Sequence, residues 1–193
     1  MQPPTKPHLV LASASPRRAA ILRDLGANFA IRPADAKEPR LADPVASVRA
    51  AALAKHAAAR AAAAPDEAVL AADTLVALDG EALGKPRDRA DAVAMLLRLS
   101  GREHLVHTAV AASAPGNVEP ELFVNTSAVR FRAFGRADAE AYLDAARTFD
   151  RAGAYDIATL GDRIVESYSG SYTGIMGLPA ERVGPWLDAH GLR

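Results

Sequence analysis

The sequence predicts a mixed α/β fold in which a twisted sheet carries helices on both sides. Residues 68–72 form an uninterrupted apolar run, which is typical of a strand buried on both faces. Residues 104–112 and 122–131 have the pattern of two long strands separated by one loop, which predicts an antiparallel pair. Strand and helix patterns alternate elsewhere, but not as regular βαβ repeats. We therefore expect a mixed sheet rather than an all-parallel one.

The other elements follow from local hydrophobic patterns and from helix and turn signals. Further strands are expected at residues 8–12, 28–33 and 75–78, the last continuing the run of residues 68–72 beyond Asp73 and Thr74. Helices are expected at residues 16–25, 44–63, 88–99, 138–145 and 179–187, with Asp43 as the cap of the second. Turns are expected at residues 79–80 and 84–86, and residues 153–177 are rich in glycine and tyrosine.

Composition excludes several classes of function. The chain has 193 residues, a formal net charge of zero and no cysteine. It therefore has no general attraction to nucleic acid or to a membrane surface, and disulfides and thiolate chemistry are excluded. Residues 1–7 lack the apolar core of a signal peptide, and no apolar stretch reaches membrane length. We expect a single domain over residues 1–193, with residues 1–7 flexible, in the cytoplasm.

Two arginines at a helix start are the first indication of a ligand. Ser15 suits the N-cap and Pro16 the first helical position, which puts Arg17 and Arg18 in the first turn. Cations are unfavourable there, because a helix N-terminus already carries partial positive charge. Backbone N–H groups, a serine hydroxyl and two guanidinium groups together suit a phosphate. A capped surface helix with basic residues is the alternative, and these residues alone do not decide between the two.

Two acidic residues and a lysine are candidates for catalysis. Asp73 is predicted at the end of a buried strand, where it either serves a ligand cleft or caps the next turn. Glu38 lies in a polar loop and is a solvated acid unless the fold brings it to Asp73, in which case the two suit Mg²⁺. Lys85, in a predicted tight turn, is either a solvated surface residue or a fixed cation for phosphate charge.

Two histidines and a glycine-rich segment say less about the function of the protein. His104 and His107 are three residues apart in a predicted strand and so point to opposite faces, which favours packing or surface roles over a shared metal. Residues 170–174, Gly-Ser-Tyr-Thr-Gly, form either a simple turn or a loop that approaches a base or sugar. The sequence contains no Walker-type loop and no dinucleotide-binding glycine motif. Kinases, P-loop NTPases and Rossmann dehydrogenases are therefore disfavoured.

Short motifs over nearly the whole chain, from about residue 9 to residue 187, have a specific order and spacing. They are Leu-Ala-Ser-Ala-Ser-Pro-Arg-Arg at 11–18, Glu38, Lys55, Ala-Asp-Thr at 72–74, Gly-Lys-Pro at 84–86, Leu-Ser-Gly-Arg-Glu-His at 99–104, Ala-Gly-Ala-Tyr-Asp-Ile at 152–157 and Gly-Ser-Tyr-Thr-Gly-Ile-Met-Gly-Leu-Pro at 170–179. Together they resemble the Maf family of nucleoside triphosphate pyrophosphatases.

This resemblance implies a Maf/ITPase-like fold of two lobes around a deep nucleotide cleft, and the possibility of a homodimer. It implies hydrolysis of a nucleoside triphosphate to the monophosphate and pyrophosphate, assisted by Mg²⁺ or Mn²⁺. By position, Asp73 would activate the attacking water, Glu38 would bind the metal with it, and Lys85 would stabilise phosphoryl charge. The implied substrate-binding residues are Ser13, Ser15, Arg17, Arg18, Lys55 and Thr74.

The resemblance also bears on the choice of nucleotide. Arg17 and Thr74 match the branch that prefers dTTP and UTP, but Ala158 stands where that branch has a glutamine. A side-chain hydrogen bond to the base is thereby lost, so we expect a broader or shifted nucleotide range. Two alternatives remain: the branch that handles 7-methylguanosine triphosphate, and a non-catalytic nucleotide-binding regulator of septum formation or cell division.

Overall fold

The computed structural model of the protein describes residues 8–193, so the predicted flexibility of residues 1–7 lies outside the described residues. The strands are β1 (His8–Leu11), β2 (Phe29–Ile31), β3 (Glu67–Leu78), β4 (Glu81–Leu83), β5 (Glu103–Ser113), β6 (Glu121–Phe131) and β7 (Val165–Ser169). The helices are α1 (Pro16–Asp24), α2 (Pro44–Ala62), α3 (Arg89–Leu99), α4 (Arg136–Ala146), α5 (Gly161–Ile164), α6 (Tyr172–Ile175) and α7 (Ala180–Ala189). Within residues 8–193, no helix is both long and apolar enough to span a membrane.

All the strands belong to one mixed sheet, which confirms the predicted fold class. Its order is β2-β1-β3-β5-β6-β7, and β4 pairs with β3. β1 runs parallel to β2 and β3, whereas the other pairings are antiparallel. The predicted antiparallel pair of long strands is β5 and β6. Parallel pairing therefore builds one side of the sheet, and antiparallel pairing builds the other.

Helices cover both faces, because side chains alternate along the buried strand β3. Ala68, Leu70 and Ala72 pack in one cluster with residues of α1 and α7. Val69 and Ala71 pack on the opposite face, against α2. Farther along β3, residues on the first face pack in a third cluster with α3 and α4. The two large clusters on this face lie at opposite ends of β3, while the two-lobed arrangement remains a prediction.

Four local predictions differ from the structure. β3 is continuous from Glu67 to Leu78, so the prediction that Asp73 ends a strand is wrong. Residues 84–86 do not form the expected tight turn: they follow the unpredicted strand β4, and the amide of Gly153 donates to the carbonyl of Gly84 at 3.0 Å. β7 was also not predicted, because its side chains are mostly exposed and only pairing with β6 defines it. Residues 170–174 lead into α6, which Ser171 caps.

Candidate active site

A gap along one edge of β3 creates the site. β1 pairs with this edge up to Leu70, and β4 pairs with it again only from Val76. The opposite edge of β3 is occupied by β5 throughout this stretch. Asp73 and Thr74 therefore lie on a buried strand at a point where a neighbouring strand is missing. Polar side chains are tolerated inside this strand because they face the gap and find partners there.

A cavity of about 380 Å³ occupies this gap, within the size range of small-ligand sites. It is lined by every site residue predicted from the sequence except Ala158: Ser13, Ser15, Arg17, Arg18, Glu38, Lys55, Asp73, Thr74 and Lys85. Ala158 is exposed beside the wall of the cavity, and its amide donates to Asp156 Oδ1 at 3.0 Å. The fold thus brings together residues from five separate stretches of the chain.

Lys55 joins the two predicted catalytic acids. Its Nζ lies 2.8 Å from Glu38 Oε1 and 2.7 Å from Asp73 Oδ1. α2 supplies the lysine, β3 supplies Asp73, and the loop between β2 and α2 supplies Glu38. The lysine and Asp73 side chains are only 15% and 13% exposed, whereas Glu38 is 39% exposed. The sequence resemblance assigned Lys55 to the substrate, but here its ammonium contacts the acids.

The charges around Glu38 favour its ionised form. Partial burial raises the pKa of this carboxyl, but the hydrogen bond and charge of Lys55 lower it, and the charges of Arg40 and Lys85 lower it further. The net shift of the Glu38 pKa is downward. Glu38 is therefore a carboxylate at neutral pH, held in a cationic surrounding.

The same two carboxylates are the candidate ligands for a divalent metal. They already converge on one cation, the ammonium of Lys55. Among residues 8–193, no group of three or more His, Cys, Asp or Glu side chains is arranged to hold a metal ion. A pair of carboxylates suits Mg²⁺ or Mn²⁺, which take their remaining oxygens from phosphate groups and water.

The Arg18 guanidinium is fixed by hydrogen bonds to other parts of the protein. Its guanidinium donates to the carbonyls of Gly177 at 2.9 Å and Ala72 at 2.9 Å, to Ser13 Oγ at 3.1 Å and to Thr74 Oγ1 at 3.0 Å. These four bonds use most of the five N–H groups of an arginine. A Cβ at Gly177, where φ is +108°, would lie 3.2 Å from Arg18 Nε. Arg18 therefore ties α1 and β3 to the segment before α7.

Arg17 keeps more of its donors for the cavity. It donates from Nε to the carbonyl of Met176 at 3.2 Å and from Nη1 to Asp156 Oδ2 at 2.6 Å. Pro16 begins α1 as predicted, but the side chain of Ser15 makes no cap hydrogen bond. The unfavourable charge at the helix start is therefore offset within the protein by Asp156.

Four charged cavity residues were not selected from the sequence: Arg40, Asp150, Arg151 and Asp156. Asp156 is buried and faces both Arg17 and Arg151, whose Nε is 3.5 Å from Asp156 Oδ2. Asp156 and its neighbours belong to one of the short motifs, which is the signal that could have singled it out. Arg40 lies in an irregular loop and carries no comparable signal.

His104 and His107 each have a hydrogen-bond partner within the protein. His104 is buried with its Nε2 2.9 Å from the Tyr155 hydroxyl, and His107 Nδ1 lies 2.9 Å from Thr126 Oγ1. Their ring partners come from different elements, as expected for side chains on opposite faces of β5. The prediction that they serve packing is confirmed by their burial.

Comparison with known proteins shows the family of this chain. A family model described as Maf-like protein matches residues 8–190. The chain belongs to the Maf family. The matched range contains every residue that lines the cavity.

Curated members of the Maf family are similar over nearly their full length. The chain is 41% identical to a dTTP/UTP pyrophosphatase of Bordetella parapertussis, over 96% of this chain and 94% of that protein. It is 41% identical to one of Thermus thermophilus, over 97% of each chain. It is 42% identical to one of Desulfotalea psychrophila, over 89% of this chain and 88% of that protein.

Proposed function

We propose that this chain hydrolyses nucleoside triphosphates to a nucleoside monophosphate and pyrophosphate, with dTTP and UTP among its substrates. The observation that carries the proposal is the pair of carboxylates, Glu38 and Asp73, on the wall of a cavity that several cations also line. The Maf-family relatives named dTTP/UTP pyrophosphatase support the same reaction. A non-catalytic nucleotide sensor would have no need of a converging pair of acids.

The proposed reaction is attack of water on the α-phosphorus, with pyrophosphate as the leaving group. Asp73 is the less exposed of the two paired acids, at 13% against 39% for Glu38, and it would orient the water and accept its proton. Lys85 is exposed at the cavity and would stabilise negative charge that develops on the phosphate oxygens. Ser13, Arg18 and Thr74 form a hydrogen-bonded wall that would position the substrate.

Glu38 and Asp73 would hold Mg²⁺ or Mn²⁺ when the substrate is bound. The bound ion would neutralise phosphate charge and make a coordinated water more acidic. Lys55 contacts both carboxylates, so in our proposal its ammonium holds the two acids in position before the substrate enters. Its contribution to substrate binding would then be indirect, through the geometry of the two acids.

Choice of nucleotide would depend on Arg17, Thr74 and the residues after Tyr155. Arg17 retains donors that can reach a base or a phosphate, while the Thr74 hydroxyl is engaged by Arg18 and by Thr108 Oγ1 at 2.9 Å. Ala158 brings no side-chain donor or acceptor to the base. We therefore propose hydrolysis of dTTP and UTP with weaker discrimination against other triphosphates.

Product analysis tests this function. The protein is incubated with Mg²⁺ or Mn²⁺ and with a panel of dTTP, UTP, CTP, GTP and 7-methylguanosine triphosphate, and the products are separated. We expect nucleoside monophosphate and pyrophosphate, fastest from dTTP and UTP. Diphosphate with orthophosphate would contradict the proposed bond cleavage. Preference for 7-methylguanosine triphosphate would favour the other branch of the family, and tight binding without turnover would favour a regulator.

The oligomeric state and the cellular location of the protein are independent of the reaction. We propose a homodimer acting in the cytoplasm, as the family resemblance implies. Sedimentation velocity at micromolar concentration tests the first part, with a dimer mass expected. A single monomer species over the whole concentration range would contradict it, and would leave the reaction proposed above untouched.

A further inference from the structure

The cations that line the cavity divide into two groups by their partners. Lys55, Arg17, Arg18 and Arg151 all form ion pairs or hydrogen bonds with the protein. Arg40 and Lys85 form neither with any residue in the described range 8–193. Both side chains are exposed at the cavity. The cavity cations without a hydrogen bond or ion pair in the described range are therefore Arg40 and Lys85, whereas Arg17 at the start of α1 keeps only part of its donors.

The guanidinium of Arg40 lies beside the backbone that carries Lys85. A Cβ at Gly84 would come within 3.9 Å of Arg40 Nη1 and 4.0 Å of Nη2. The guanidinium therefore lies within van der Waals range of a side chain placed on the residue immediately before Lys85. Two cations without a hydrogen bond or ion pair in the described range thus lie at neighbouring positions of the cavity lining.

We propose that Arg40 is a phosphate-binding residue, which with Lys85 holds the two phosphates that leave as pyrophosphate; this inference rests on the proposed function. An arginine presents paired N–H donors that match two phosphate oxygens, whereas a lysine supplies a compact charge. Arg18 is less able to take this role, because its donors are engaged with Ser13, Thr74 and two backbone carbonyls. Charge on the departing pyrophosphate requires donors that are not already used.

Calorimetric titration with pyrophosphate in the presence of Mg²⁺ tests this assignment without turnover. Arg40→Gln is compared with the wild type, with Arg40→Lys, and with Arg49→Gln as the matched control. Arg49 is an exposed arginine of α2 without a hydrogen bond or ion pair in the described range, and it lies outside the cavity lining. We expect Arg40→Gln to weaken pyrophosphate binding about 10- to 100-fold, as for loss of a charge-assisted contact. Arg40→Lys should retain part of the affinity, and Arg49→Gln all of it.

Titration with UMP supplies the second readout. UMP lacks the leaving phosphates, so its affinity should be the same in Arg40→Gln and in the wild type. Equal pyrophosphate affinity in these two proteins, or an equal loss of UMP affinity in Arg40→Gln, would overturn the inference. So would a wild-type protein that binds no pyrophosphate. If the protein hydrolyses no triphosphate but pyrophosphate binding still depends on Arg40, the proposed function fails and the anion site stands.

Discussion

Asp156 Oδ2 lies 2.6 Å from Nη1 of Arg17, and this ion pair joins α1 to a segment 139 residues later in the chain. The carboxylate side chain is only 7% exposed, while that of Arg17 is 26% exposed. Asp156 thereby holds a partly exposed guanidinium at the wall of the cavity. The position of Arg17, and with it any contact to the nucleotide, depends on an acid that is itself a buried part of the fold.

Replacement of Asp156 should therefore alter nucleotide choice. Asp156→Asn keeps the shape of the side chain but removes the charge that holds Arg17. We expect the ratio of kcat/KM for UTP to that for CTP to fall about tenfold, mainly through KM. The measurement is steady-state kinetics with both substrates.

A double mutant separates positioning from a general loss of stability. In an Arg17→Gln background, Asp156→Asn should change the ratio little, because its effect acts through Arg17. Asp144→Asn, which alters an exposed acid that pairs with Arg89, is the control. Additive effects of the two cavity substitutions would show that Asp156 does not act through Arg17.

Asp73 is expected to be needed for turnover rather than for folding. Asp73→Asn preserves the volume of the side chain inside β3 but cannot accept a proton as a carboxylate does. We expect kcat to fall about 10²- to 10⁴-fold, with a cooperative unfolding transition retained. The measurement is kcat for dTTP, with thermal unfolding followed in parallel.

Asp79→Asn is the matched control, since Asp79 is an exposed acid just after β3 that pairs with Arg102. It should leave kcat within a factor of about two. An Asp73→Asn enzyme with wild-type turnover would remove Asp73 from the proposed mechanism, whatever its effect on stability.

Lys55 should stabilise the protein most when no divalent metal is present. Lys55→Met removes the ammonium that contacts Glu38 and Asp73 and leaves two carboxylates facing each other. We expect a loss of about 1–3 kcal/mol in the free energy of unfolding without metal. Mg²⁺ should raise the Tm of this variant more than that of the wild type, because a cation then replaces the ammonium.

Lys37→Met, at an exposed lysine of the same loop as Glu38, is the control and should behave like the wild type. Thermal unfolding with and without Mg²⁺ gives the comparison for all three proteins. Equal Mg²⁺-induced shifts in Lys55→Met and the wild type would show that the ammonium and the metal do not share these acids.

Two buried histidines should make the protein less stable in mild acid. Burial lowers the pKa of His104 to about 4, and burial together with the charge of Arg60 lowers that of His56 to about 4. In the unfolded chain both return to about 6.5, so between pH 6.5 and pH 4 the unfolded state binds more protons than the folded one. The contribution of the two neutral histidines to the free energy of unfolding is therefore fully present above pH 6.5. It is lost as the pH falls from 6.5 to 4.

Each histidine contributes a slope of up to about 1.4 kcal/mol per pH unit. Urea unfolding at pH 7, 6 and 5 should show this loss in the wild type, and His104→Gln should have a flatter slope, whatever its stability at pH 7. An unchanged slope in His104→Gln would show that His104 is not neutral in the folded protein over this range.

Much of the fold was predictable because local patterns encode it. Asp43 caps α2 by accepting from the amides of Val45 and Ala46, as its sequence position predicted. An apolar run predicted β3, since a strand buried on both faces has no need to alternate, and two long strand patterns around one loop predicted β5 and β6. β4 and β7 were not predicted, because their own residues carry no clear strand pattern. They are strands because they pair with β3 and β6.

The sequence by itself predicted the α/β class and a set of candidate site residues, all of which except Ala158 line the cavity. Only the tertiary structure decided which of those residues form ion pairs and hydrogen bonds with one another. It placed Lys55 between Glu38 and Asp73, and it engaged Arg18 with Gly177, 159 residues away. Local periodicity carries no information about contacts at such separations, because they depend on which strands pair and where a neighbouring strand ends. The gap between β1 and β4 along β3 leaves room for the cavity that these residues line.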